Sequence, residues 1–154
     1  MWRKLRKQIA VGRELLNLLL EDHRPLLDKC AISAPDRIEV SALAAMLHAF
    51  YCGIENIFKR IVVELNEGLA RGEGWYKELL DRMIRPSPDR PPVISGSLAE
   101  ALRGYLEFRH VFREAYTFQL KWERMSELVL ECEATLRRLE GELGAFLKAT
   151  ETKE

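Results

Sequence analysis

The stretch Leu43-Ala44-Ala45-Met46-Leu47-His48-Ala49-Phe50-Tyr51-Cys52-Gly53-Ile54-Glu55-Asn56-Ile57-Phe58-Lys59-Arg60-Ile61-Val62-Val63-Glu64-Leu65 reads as one helix with a broad apolar face. Wound at about 100° per residue, Leu43, Leu47, Phe50, Tyr51, Ile54, Ile57, Phe58, Ile61 and Leu65 spread over more of the circumference than a surface helix would show. The pattern predicts a helix from about Pro35 to Leu65 that is covered on several sides, the centre of a helical bundle. Ser33 is the expected N-cap, with Pro35 and Asp36 in the first turn. Gly68, Gly72 and Gly74 end the helix in a corner.

On the N-terminal side, Leu5, Ile9, Gly12, Leu16, Leu19, His23 and Leu26 alternate at spacings of three and four, the seam of a long amphipathic helix from Trp2. Pro25 predicts a kink or an end between Asp22 and Arg24, with any further turn reaching Lys29. Beyond the glycine corner, Trp75 to Met83 is a short helix with Trp75, Leu79, Leu80 and Met83 inward. Pro86, Pro88, Pro91 and Pro92 hold Arg85 to Ile94 as a loop, around which Arg82, Arg85 and Arg90 gather positive charge. Ser97 and Glu100 form a Ser-x-x-Glu capping box that opens the next long helix, expected to reach about Thr117. After a short turn, Trp122, Met125, Val129, Cys132, Leu136, Leu139, Leu143 and Phe146 repeat the alternation as one last helix.

No segment alternates at period two with β-branched enrichment. The expected fold is therefore all-α, an antiparallel bundle of four long helices plus a short fifth helix. It forms a single domain over residues 1–149, with a frayed tail at 150–154.

Bulk properties narrow the function further. The 154 residues suffice for one core without staples. Lys and Arg number 24 and Asp and Glu 24, so any attraction for nucleic acid or an anionic surface must be local. Cys30, Cys52 and Cys132 are odd in number and show no metal-binding spacing, which reads as buried thiols in a reducing cytoplasm. The apolar run Leu15 to Leu20 is interrupted by Asn17 and ends at Glu21, too short for a membrane span and without a signal-peptide cleavage pattern. No membrane association, metal or cofactor is expected.

Within the fourth long helix the stretch Tyr105 to Phe118 poses a question. Leu98, Leu102, Tyr105, Phe112 and Tyr116 share a face, and Arg109 lies in the middle of it. A guanidinium costs several kcal/mol to bury unpaired, so Arg109 implies a buried carboxylate, a cleft or an interface holding an anion. Glu55 sits in the apolar face of the central helix and can pair with Arg109 or Arg113. Phosphate-loop, nucleophile-elbow, zinc-helix and di-iron patterns are all missing. His23 and His48 border apolar stripes and read as packed residues, whereas His110, beside two cations, is held neutral and available as a base. Two arginines, a histidine and a tyrosine suit a phosphodiester, because guanidinium groups can brace the added charge of a phosphorane.

Four segments together resemble the HepT-like branch of the HEPN superfamily. They are Leu47-His48-Ala49-Phe50-Tyr51-Cys52-Gly53-Ile54-Glu55-Asn56-Ile57-Phe58-Lys59-Arg60, Gly72-Glu73-Gly74-Trp75, Arg90-Pro91-Pro92-Val93-Ile94-Ser95 and Phe108-Arg109-His110-Val111-Phe112-Arg113-Glu114-Ala115-Tyr116. The resemblance implies a homodimer whose arginine-bearing helices face each other across a cleft, with a minimal nucleotidyltransferase antitoxin as partner. It further implies metal-independent cleavage of RNA. On this pattern Arg109 and Arg113 bind substrate, and Arg109, His110 and Glu114 are the catalytic candidates. Tyr116 takes the position that the partner modifies with AMP. Glu114 stands where the family motif has its histidine, and an ideal helix points it about 140° from Arg109, away from the cleft.

Two other readings compete. One is a catalytically inactive HEPN homodimer that binds a protein or nucleotide through the same cleft. The other is that Arg109 simply pairs with Glu55 inside a stable bundle.

Overall fold

The computed structural model describes residues 1–68, 72 and 74–152. Of the glycine corner, residues 69–71 and 73 lie outside these, as do the tail residues 153 and 154. The described chain forms seven α-helices: α1 (Trp2–Asp22), α2 (Arg24–Cys30), α3 (Arg37–Glu64), α4 (Trp75–Met83), α5 (Gly96–Glu114), α6 (Trp122–Leu130) and α7 (Cys132–Ala149). A 3-10 turn at Thr117–Gln119 joins α5 to α6. The architecture is the all-α bundle expected, and its buried apolar residues make one continuous cluster.

At its centre lies α3, packed against α1, α4, α5 and α6. Among the described helices α3 is long and apolar enough to cross a membrane, but Leu43, Leu47, Phe50, Ile54, Phe58 and Ile61 are fully covered by its neighbours. The contact with α1 is close because each helix offers a glycine. A Cβ on Gly12 would lie 2.6 Å from Ile57 Cγ1, and one on Gly53 would lie 2.7 Å from Leu16 Cδ2. Each glycine thus receives a branched side chain of the other helix, which brings the backbones together.

Several boundaries differ from the expectation. The N-cap of α3 is Asp36, not Ser33: its carboxylate accepts from the Glu39 N–H (2.8 Å), and the Glu39 side chain accepts from the Asp36 N–H (3.0 Å). The cap of α5 is Ser95, not Ser97; its hydroxyl accepts from the Leu98 N–H (3.1 Å) and donates to Glu142 (3.0 Å). Ser97 instead accepts from the Arg138 guanidinium (2.9 Å). His23 separates α1 from α2, with Pro25 tolerated in the first turn of α2. Thr150 caps α7, buried and donating to the Phe146 carbonyl (3.1 Å).

The C-terminal helix is two helices rather than one, with the break at Glu131. The Leu128 carbonyl, which in an unbroken helix would serve the Cys132 N–H, accepts instead from the Tyr105 hydroxyl (2.7 Å). Tyr105→Phe is expected to cost about 1 kcal/mol, the net worth of one buried hydrogen bond, as a lowered midpoint in urea denaturation.

The expected basic patch around the proline loop dissolves. Arg90 is buried, donates from Nε and one terminal nitrogen to Glu67 (2.7 and 2.9 Å), and donates from the other terminal nitrogen to the Arg85 and Pro91 carbonyls (2.9 and 3.1 Å). It fastens the loop to the chain just past α3. Arg82 is drawn to Glu78 (3.6 Å) and donates to the Gly68 carbonyl.

Candidate active site at the end of helix α5

The last turns of α5 and the start of α4 enclose a cleft of about 560 Å³ lined by Gly72, Trp75, Tyr76, Arg109, His110, Arg113 and Glu114. Gly74, with φ +86°, caps α4 in a conformation L side chains rarely adopt and turns Trp75 and Tyr76 toward α5.

Arg109 lies at the inner end. One of its terminal nitrogens donates to Glu55 Oε1 (2.7 Å), with both side chains 6% exposed. Lys59 Nζ stands 3.8 Å from the same oxygen, and the other Glu55 oxygen has no hydrogen-bond partner among the described residues. Tyr51 and Tyr76 place their rings 5.5 and 5.7 Å from the guanidinium carbon, within cation–π range. Burial works against the charge on Arg109, but the Glu55 carboxylate outweighs it and holds the pKa above its ordinary value.

His110 packs its ring edge-on against Tyr76, centroids 4.6 Å apart, and its Nε2 is buried with no hydrogen-bond partner among the described residues. Burial lowers its pKa, and Arg109, Arg113 and Lys77 push it the same way against an opposing pull from Glu114. His48, stacked on Phe112 at 4.9 Å with its Nε2 3.7 Å from the Cys52 sulfur, is lowered by burial and then by Arg109 and Arg113.

These shifts have a stability consequence. With folded pKa values below the ordinary 6.5, the unfolded chain takes up more protons than the folded one as pH drops through that value. Stability from these two groups is full above pH 6.5 and declines below it. The depressed carboxylates Glu39, Glu64, Glu133 and Glu140 lose their contribution lower, as pH falls below their ordinary 4.5. The urea midpoint is therefore expected to be lower at about pH 5.5 than at about pH 7.5, and replacing His48 with Gln should shrink the difference.

Arg113 and Glu114 are exposed and form no ion pair among the described residues. Both line the cleft, so Glu114 does not point away as the ideal wheel implied. The cleft spans an arc rather than a line: Arg109 and Arg113 form one column of α5, His110 and Glu114 the next. Tyr116 departs from expectation in the other direction. The helix stops at Glu114 and Ala115 is extended, which takes Tyr116 off the apolar stripe. It is left 71% exposed, outside the cleft lining and stacked on Phe118 at 5.6 Å.

Three contributors were not placed in the site from the sequence. Tyr76 and Trp75 form the wall opposite α5, and Lys59 Nζ sits 4.3 Å above the Trp75 ring centroid. Gly74 ahead of an aromatic pair was the available signal. Among the described residues no group of His, Cys, Asp and Glu is arranged to hold a metal ion.

The all-α bundle built around α3 is of the HEPN type. Within that class the chain belongs to the HepT-like family: the family model described as HepT-like protein matches residues 42–150, from the central helix to the end of α7. No curated protein and no solved structure matches the chain.

Proposed function

We propose that this chain is the toxin-like subunit of a pair with a minimal nucleotidyltransferase antitoxin, a homodimer cutting RNA without a metal at the α5 cleft. The observation that carries the reading is the meeting of Arg109, His110, Arg113 and Glu114 in one cleft, with a histidine held neutral by its surroundings. His110 would take the proton of a ribose 2′-hydroxyl as its oxygen attacks phosphorus. Arg113, exposed and forming no ion pair among the described residues, would brace the phosphorane, with Arg109 behind it adding fixed positive charge. The bond to the 5′-oxygen then breaks, that oxygen takes a proton from water, and a 2′,3′-cyclic phosphate remains. Glu114 fills the motif's histidine position at the mouth of the cleft.

Tyr116 supports the regulatory half of the proposal. Its exposure lets a partner enzyme reach the hydroxyl, which would attack the α-phosphate of ATP, releasing pyrophosphate and leaving a tyrosyl-AMP ester. A cytoplasmic setting belongs to the same proposal, and the free thiols of Cys30, Cys52 and Cys132 suit it.

The test is incubation of the purified, chelator-treated protein with RNA, read by 2′,3′-cyclic phosphate ends, followed by co-expression with the nucleotidyltransferase. Cleavage by the unmodified protein, silenced by a mass increase of one AMP that Tyr116→Phe prevents, is the expected result. A second reading is favoured by the Arg109–Glu55 pair, which already satisfies part of the arginine: a subunit that binds nucleotide or protein without cutting. Nucleotide binding at Arg113 with no cleavage would decide for it.

A further inference from the structure

Helix α1 presents a face that no described residue covers. Val11, Leu15 and Leu18, on one stripe at spacings of four and three, are 56%, 61% and 57% exposed. Between this stripe and α3 runs a groove of about 650 Å³ whose floor includes Ile57 and whose far wall carries Val63 and Arg60. No residue of α1 lines the α5 cleft, so this surface is separate from the proposed active site.

The charges on α1 run against its own dipole. A helix N-terminus favours acids and its C-terminus favours cations. Yet α1 has no acidic residue in its first turn and no basic residue in its last. Arg3, Lys4 and Lys7 stand near the start, with Glu21 and Asp22 at the end. The arrangement is unfavourable for α1 alone, and although Lys4 pairs with Glu64 (3.1 Å) and Glu21 with Arg24 (3.0 Å), Lys7 has no ion pair among the described residues and Asp22 has only the His23 ring at 4.0 Å. It becomes favourable when a second α1 lies antiparallel beside it, because each cluster then meets both the opposite cluster and the opposite helix end.

We propose that this face is a self-association surface whose occupant is the same face of a second copy of the chain, packed antiparallel about a two-fold axis beside Leu15. In that register Lys7 lies opposite Asp22 of the second copy. Val11 lies against Leu18 of the second copy, and Leu18 against its Val11. The two Leu15 side chains meet beside the axis. Such a contact is self-complementary, residue i meeting j and j meeting i, as a two-fold interface requires. The alternation of apolar centre and charged ends also fixes the antiparallel direction, since a parallel pair would set like charges together.

Sedimentation velocity across a range of protein concentrations tests it. Leu15→Asp combined with Leu18→Asp should halve the mass of the assembly while circular dichroism stays unchanged, as both positions are exposed. Lys7→Glu should weaken the assembly by about tenfold, and adding Asp22→Lys should restore it, because the swap rebuilds the charge pair in reverse. A wild-type chain that stays a single copy, a mass unaffected by the Leu15 and Leu18 changes, or a swap that fails to restore would each overturn the proposal. An assembly through the α5 cleft would respond to Arg113→Glu instead, and RNA cleavage is read separately, so the two proposals fail independently.

Discussion

Replacing Arg109 with alanine is expected to remove about 3–5 kcal/mol of folding stability, more than any other single change considered for this protein. The reason is asymmetric. The Glu55 and Arg109 side chains are each 6% exposed and joined at 2.7 Å, and one Glu55 oxygen is already without a hydrogen-bond partner among the described residues. Removing the arginine leaves a buried carboxylate with only Lys59, 3.8 Å away and one-third exposed, to balance it. An unpaired buried charge is costly, whereas removing both charges is much less so. The variant with Arg109→Met and Glu55→Leu together should therefore recover most of the loss. Urea denaturation with an unchanged slope reads this directly. A loss below about 1 kcal/mol for Arg109→Ala would mean that water reaches the pair and that the arginine is held for substrate rather than for the fold.

The same result governs how activity data are read. An inactive Arg109→Ala protein does not by itself separate a missing phosphate ligand from a loosened bundle. Arg113 is the cleaner probe: it lines the same cleft, is exposed and forms no ion pair among the described residues, so its removal should leave stability within about 0.5 kcal/mol.

How far the sequence told this in advance depends on the range of each interaction. The central helix was legible because Leu43 through Leu65 repeats one local period, and the Arg109–Glu55 pair was among the open readings because each charge interrupts an apolar stripe. Long-range partners were not legible. Arg90 looked like surface charge because nothing local announces Glu67, 23 positions away. Ser33 and Ser97 were reasonable caps by local rules, but Asp36 with its own Glu39 outcompetes the first, while Glu142 and Arg138 sort Ser95 from Ser97. The break at Glu131 was invisible because the apolar spacing passes through it undisturbed, and only the Tyr105 hydroxyl from another helix diverts the Leu128 carbonyl. In the cleft, an angle measured from Arg109 alone misjudged Glu114, since two columns of α5 face the same space and Tyr76 closes it from α4.

His110 is the residue on which the chemistry of the proposed cleavage turns, and His110→Ala is expected to slow RNA cleavage by about 10²–10⁴-fold at neutral pH, the usual range for a lost general base. The pH profile separates this role from mere packing. The base is the neutral imidazole, and burial followed by Arg109 and Arg113 holds its pKa below 6.5. Wild-type cleavage should thus be level above pH 6.5 and fall only as pH drops through a lower midpoint. Arg113→Ala removes one of the cations that lower it, so its residual activity should fall off at a higher pH, nearer 6.5, than in the wild type. A residue that only braces phosphate would change the rate and leave the midpoint where it was. Arg113 is predicted to move both, because the positive charge that would bind the phosphodiester also keeps the neighbouring imidazole unprotonated. An acid limb unchanged by Arg113→Ala, or still present in His110→Ala, would remove His110 from the proton-transfer role and leave the cleft as a binding site.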